Sequence, residues 1–91
     1  MKGNISGKLD ILRLVLQPYS IEILEALRAD AKRFSELKQY VANERTLSLK
    51  LSKLLESDLI KVVPKKTEKK YVNTYKISEK GLHVLEKIEK L

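Results

Sequence analysis

The chain contains no cysteine and no tryptophan, and only one phenylalanine, one histidine, two prolines and three glycines among its 91 residues. Without cysteine there are no disulfides, no thiolate metal sites and no thiol-based redox sensing, a pattern that fits an intracellular protein. The lone histidine, His83, has no partner carboxylate at ligand spacing and reads as a solvated or interface residue, not a base or a metal ligand. Three scattered glycines provide no glycine-rich phosphate loop. The sequence therefore points away from an enzyme and calls for no cofactor. No stretch approaches the roughly eighteen apolar residues of a membrane span, and the opening MKGNISGKLD lacks the apolar core of a signal peptide. The expected location is the cytoplasm.

Acidic groups are also scarce relative to basic ones. Lys and Arg number 19 against 12 Asp and Glu, a formal charge of +7, with a pI near 9.7. That balance favours a polyanionic partner, nucleic acid first and an anionic membrane surface second. The length allows one domain with a modest core and no second, ligand-sensing domain. No small-molecule effector is evident, although a cleft at a dimer seam could take one. Abundant Lys and Glu with a single Met hint at a thermophilic source.

The most informative stretch runs from Asn43 to Ile60. Leu47, Leu51, Leu54 and Leu55 recur at i, i+4, i+7 and i+8, one apolar stripe of a helix. Arg45, Leu49, Ser52, Lys53 and Glu56 fall opposite, with Thr46, Ser48 and Lys50 on the flanks. Asn43 suits an N-cap, and Glu44 complements the helix dipole. Taken alone, this is the pattern of a solvated amphipathic helix; its surroundings argue for more.

Residues 1–7 carry two glycines and no pattern, which predicts a flexible tail before a domain over 8–91. Lys8–Gln17 is apolar on more than one side, so it is either buried centrally or shared across a dimer interface. Pro18 ends that helix and is placed at N1 of the next, which runs to about Arg28 with Ile21, Ile23, Leu24 and Leu27 inward. Phe34 anchors the entry to a brief helix capped by Ser35 and ending near Val41, and a tight turn at Ala42 and Asn43 leads into the long helix. Two helices so joined over 34–57, the second with a polar, basic front, form a helix-turn-helix.

Beyond Ile60 the composition favours strands over Ile60–Lys65 and Lys70–Ile77, with Pro64 implying an edge and Lys66–Lys69 closing a hairpin within 60–77. Lys61, Lys65, Lys66, Lys69, Lys70 and Lys76 face Glu68 alone there, so most of the net charge lies on this hairpin. One or two lysines suffice to blunt an edge strand; this density reads instead as a wing that straddles a nucleic-acid backbone or reaches a minor groove. Tyr71 and Tyr75 share a strand face and could stack bases, but beside Ile77 they read as core. Ser78 caps a last helix over 79–91. Leu82 and Leu85 face the domain, while Val84, Ile88 and Leu91 form a second stripe that suggests pairing with the N-terminal helix in a dimer, the alternative being that Ile88 and Leu91 are only partly covered surface residues. The expected fold is α+β and mostly α: a winged helix-turn-helix with a three-helix core, a two-stranded wing, and N- and C-terminal dimerisation helices.

The motifs RFSEL (Arg33–Leu37), TLSLKLSKLLESDLI (Thr46–Ile60) and YKISEKG (Tyr75–Gly81) resemble those of the HxlR group, within the wider MarR, ArsR and PadR set of small prokaryotic regulators. In that group RF-x-EL, L-x-x-x-L-x-x-L-x-x-x-GLI and Y-x-L-T-x-x-G occur in this order. The resemblance covers residues 18–91 and implies a homodimeric, sequence-specific regulator of transcription that binds double-stranded DNA, in bacteria or archaea. Asp58 stands where the group has a left-handed glycine, and the Lys-Trp pair before the first core helix is absent. Carried over by position, the resemblance assigns base contacts to Arg45, Thr46, Leu49 and Lys50, and phosphate contacts to Lys53 and Ser35. Lys65, Lys66, Lys69 and Lys70 supply the wing's backbone contacts, and Leu9, Leu12, Leu16, Val84, Ile88 and Leu91 the dimer interface. The alternatives are a non-specific, chromatin-like DNA binder and a winged-helix module for protein interaction.

Overall fold

The computed structural model describes residues 2–90, with side chains from Leu9 to Lys90. Helix α1 spans Lys2–Leu16 and α2 spans Ser20–Ala29. Helix α1 thus takes in residues 2–7 of the expected tail: glycine costs a helix about 1 kcal/mol relative to alanine without forbidding it, and no proline intervenes before Pro18. Its apolar surface divides. Leu14 and Val15 are buried, Ile11 is half-buried, and Leu9, Leu12 and Leu16 face outward.

The link between these helices corrects the sequence reading. Pro18 does not open α2; Tyr19 occupies the N-cap position in the left-handed region, at φ 73. For a non-glycine residue that conformation costs about 1–3 kcal/mol and persists where neighbouring contacts enforce it. The Leu14 carbonyl supplies them, accepting from the Gln17 N–H at 3.1 Å and from the buried Ser20 hydroxyl at 2.6 Å. Ile23, Leu24, Ala26 and Leu27 of α2 are buried, and Arg28 at its end pairs with Glu25 and with Glu89, each at 2.9 Å. The Glu89 hydrogen bond holds the Arg28 pKa above its ordinary value.

Helix α3 covers only Phe34–Leu37, followed by turns through Tyr40. Arg33, not Ser35, is its N-cap, and the Glu36 carboxylate accepts from the Arg33 backbone N–H at 2.7 Å. The carboxylate at N3 thereby satisfies a donor at the helix start, which a serine placed inside the first turn cannot do. Helix α4 (Glu44–Glu56) begins at Asn43, whose side chain accepts from the Thr46 N–H at 2.9 Å. It ends with Asp58 at φ 61, while the Leu59 N–H bonds to the Leu54 carbonyl and the Asp58 N–H to the Leu55 carbonyl, each at 3.0 Å. This is the Schellman closure that a glycine usually provides.

Strands β1 (Ile60–Lys66) and β2 (Tyr71–Ile77) pair antiparallel, with Ile60 opposite Ile77 and Lys66 opposite Tyr71. The turn falls one residue later than expected: Thr67 closes it, its hydroxyl donating to the Lys70 carbonyl at 2.7 Å and its N–H to the same oxygen at 2.7 Å. Tyr75 exchanges backbone hydrogen bonds with Lys32, at 2.7 and 3.0 Å, so β2 is paired on both sides near its end. Pro64 lies on β1, which pairs only with β2 among the described residues. Helix α5 (Glu79–Glu89) is capped by Ser78, which accepts from the Gly81 N–H at 3.0 Å. Leu85 is buried; Val84 and Ile88 are partly covered by the chain's own core. Leu91 lies outside the described residues.

Candidate nucleic-acid interface

Helix α4 is held from behind. Leu47, Leu51 and Leu54 are fully or almost fully buried and pack into one cluster with Leu24, Leu27, Leu37 and Leu59. Burying a leucine side chain contributes about 1.5–3 kcal/mol, so these three fix the rotation of the helix about its axis. Its position along the chain is fixed at the start by the Asn43 cap and by an ion pair between Lys38 and Glu44 at 2.7 Å. The front that results carries Arg45, Thr46, Ser48, Leu49, Ser52 and Lys53, all exposed. Leu49 is 56% exposed, a large apolar side chain left uncovered amid polar neighbours.

Lys50 is the correction at this site. Assigned to base contact from the sequence, it is only 8% exposed, and its Nζ donates to the Gln17 Oε1 at 2.6 Å. Burial, with the nearby charge of Lys53, pushes its pKa down. A position on the flank of a helical wheel can turn either way. Here the chain after α1 provides a carbonyl oxygen for the ammonium, and the side chain turns inward to it. Sequence reasoning had no signal for this, because Gln17 and Lys50 are 33 residues apart.

The wing presents its charge to solvent. Lys65, Lys66, Lys69 and Lys70 are all exposed, as are Lys61 and Lys76, and Tyr71 stands exposed beside them. The two tyrosines separate, since Tyr75 is half-buried against the core and Tyr71 is not. Thr74, on the opposite strand face, is buried and donates its hydroxyl to the Val63 carbonyl at 2.6 Å. Arg33 and Glu36 of the α3 region line a shallow hollow of about 250 Å³ together with Lys65, Thr67, Val72 and Thr74. The wing therefore rises beside the first turn of α3. Ser35 is exposed in that turn. No group of three or more His, Asp or Glu among the described residues is arranged to hold a metal ion, and no described helix is long and apolar enough to cross a membrane.

A leucine-backed helix with an uncovered polar front, preceded by a shorter helix and followed by a basic antiparallel hairpin, is the arrangement of a winged helix-turn-helix regulator of transcription. The HxlR-like helix-turn-helix family matches residues 14–91, and the chain belongs to it. The fold is also that of ytfH from Salmonella typhimurium, named as a transcriptional regulator, at 25% identity and TM-score 0.73 over 91% of this chain and 75% of that one. HlyU from Vibrio cholerae N16961 aligns at 20% identity and TM-score 0.71 over 99% of this chain and 96% of its own. The transcriptional repressor BigR from Xylella fastidiosa aligns at 21% identity and TM-score 0.69 over 99% and 90%. A search of curated proteins returns no match. The family match and the likeness to ytfH both point to a regulator and not to an enzyme.

Proposed function

We propose that this regulator binds double-stranded DNA sequence-specifically as a homodimer, with α4 in the major groove and the β1–β2 wing on the backbone or in the adjacent minor groove. The observation that carries the reading is the uncovered α4 front: Arg45, Thr46, Leu49 and Lys53 are exposed on a helix whose opposite side is locked by three leucines. Arg45 can fork onto guanine O6 and N7, and Leu49 or the Thr46 methyl can meet a thymine methyl. Lys53 and the Ser35 hydroxyl serve phosphates, as do Lys65, Lys66, Lys69 and Lys70 on the wing. Lys50 is withdrawn from the base contacts. Binding to DNA puts the protein in the cytoplasm on the nucleoid.

The dimer reading rests on α1. Leu9, Leu12 and Leu16 are 48%, 47% and 64% exposed, a row of leucines that a second copy would cover. Val84 and Ile88 of α5, half-buried on their own core, extend the row in this reading.

Selection of bound duplexes from a random pool, followed by titration of the selected site against scrambled DNA at several salt concentrations, tests the whole. The expected result is an inverted repeat with half-sites about 34 Å apart, preferred over scrambled duplex at every salt concentration. Equal affinity for unrelated duplexes would leave a chromatin-like binder. No binding even at low salt would leave a protein-interaction module.

A further inference from the structure

Lys50 occupies a position that neither the core nor the DNA-facing front explains. Its neighbours on the same face, Leu47, Leu51 and Leu54, are apolar and buried, and an aliphatic residue there would join them without penalty. Instead the chain holds a part-buried ammonium whose one hydrogen-bond acceptor among the described residues is the neutral Gln17 amide. Among the described residues no carboxylate lies within ion-pair distance of it. The charge that does lie near, Lys53, has the same sign and aggravates the cost of burial. A buried charge without a counter-charge is destabilising unless something completes it.

The space around it is shaped accordingly. Gln17, Thr46, Leu49, Lys50 and Lys53 line an open hollow of about 190 Å³ where the end of α1 meets α4. Two lysines, a glutamine and a threonine are among the residues that line it, with no acid, although most of the surface they turn to it is apolar. A second hollow of about 480 Å³ shares Gln17 and Lys53 with it, and there Asp10 and Glu56 keep company with Arg13. Asp10 and Glu56 line that second hollow and not the one at Lys50.

We infer that the α1–α4 hollow is an oxyanion site, in which Lys50 and Lys53 take a phosphate-type group, Thr46 adds a hydroxyl donor, and the Gln17 amide turns from accepting to donating. A charged donor binding a phosphate oxygen makes a short, strong hydrogen bond, and two of them outweigh the loss of one contact to a neutral amide. Occupancy joins the end of α1 to the face of α4 that carries Thr46 and Leu49. The anion comes from one of two sources. A phosphodiester of a bound duplex would make Lys50 a backbone contact reached from the side of α4. A free phosphorylated or inorganic anion would instead load the junction beside the DNA-reading front and compete with the duplex. The DNA source rests on the reading under Proposed function; the free-anion source does not.

The experiment has two arms. In the first, inorganic phosphate is titrated into the wild-type protein at constant ionic strength while the side-chain amide resonance of Gln17 and the Nζ resonance of Lys50 are followed by NMR. Saturable movement of both, absent in Lys53→Gln, establishes a free-anion site whether or not the chain binds DNA. In the second, the salt dependence of duplex binding is compared between wild type and Lys50→Met. A slope shallower by about 0.9 counts one lost phosphate contact, and phosphate that does not compete at constant ionic strength assigns the anion to DNA. Thermal melting checks that Lys50→Met remains folded, and the first arm needs no substitution at Lys50. If neither resonance saturates and the slope is unchanged in a folded variant, Lys50 is a structural plug and the oxyanion site is overturned. If the protein binds no duplex at all while the resonances saturate, the DNA reading fails and the site stands.

Discussion

Gly81 lies so close to the main chain of Leu59 that a Cβ at position 81 would stand 2.2 Å from the Leu59 carbonyl oxygen and 2.7 Å from the Ile77 Cγ1. The same carbonyl accepts the Ser78 N–H at 3.0 Å. Helix α5 is thus seated by backbone against the point where β1 leaves α4. Replacing a helical glycine by alanine ordinarily gains about 1 kcal/mol, but overpacking a fixed site costs about 1–3 kcal/mol or more. The obstacle here is backbone and cannot swing aside. Gly81→Ala is therefore expected to lower stability on balance, read as an earlier midpoint in urea unfolding; an unchanged or later midpoint would contradict this seating of α5.

Arg45→Ala should weaken the selected DNA site by about 1–3 kcal/mol and relax preference at one base position, with little effect on scrambled duplex. Equal weakening on both would mean that Arg45 serves the backbone and reads no base.

Lys66 and Lys69 are exposed near the tip of the wing. Replacing both by Gln should weaken all duplexes alike and reduce the salt slope by roughly 0.9 for each lost phosphate contact. A slope equal to that of the wild type would detach the wing from DNA.

Leu12 is exposed on α1, so Leu12→Glu does not disturb the core. Under the dimer reading it should produce monomers in sedimentation, and Ile88→Glu should do the same with an added loss of stability, because Ile88 is partly buried on its own core. A dimer that persists in Leu12→Glu would move the interface away from α1.

Lys50 also gives a pH dependence whose sign is fixed. Burial first, then Lys53, lowers its folded pKa from 10.5. Between that lowered value and 10.5 the folded chain holds fewer protons than the unfolded one, so the contribution of Lys50 to stability rises with pH across this window. Below the folded pKa the penalty of the buried charge is present in full. Gln17 across the contact is neutral, and Asp10, Arg13 and Glu56 line only the adjoining hollow. Lys50→Met should therefore melt higher than wild type near pH 7, with the difference shrinking as the pH climbs past the folded value. A difference that stays constant with pH would show that the group is not strained by its charge.

The elements of the winged fold could be read from the sequence wherever the signal was local. Asn43 three residues before the amide it caps, the Leu47–Leu51–Leu54 spacing and Ser78 before α5 each declare themselves within a few residues. So does the hairpin, through Val, Tyr and Thr between lysines. What was not legible depended on particular partners, some near in the chain and some far. The inward turn of Lys50 depends on Gln17, from another helix. Ser20 spends its hydroxyl on Leu14, and Tyr19 rather than Pro18 takes the position before α2. Gly81 is an ordinary helical glycine until Leu59 is folded against it. At the candidate interface the outward residues of α4 and the wing lysines are exposed as a wheel and a strand alternation suggest, while the one flanking residue misassigned was the one with an alternative partner.

The backbone exchange between Lys32 and Tyr75 has a mechanical consequence. Because β2 is stitched on one side to β1 and on the other to the segment leading into α3, the hairpin is clamped at its root to the chain that also positions α4. Any duplex seated on α4 would meet the lysine-bearing tip at a set offset, so the protein would work as a ruler of fixed length and tolerate little variation in the distance between the groove it reads and the strand it grips.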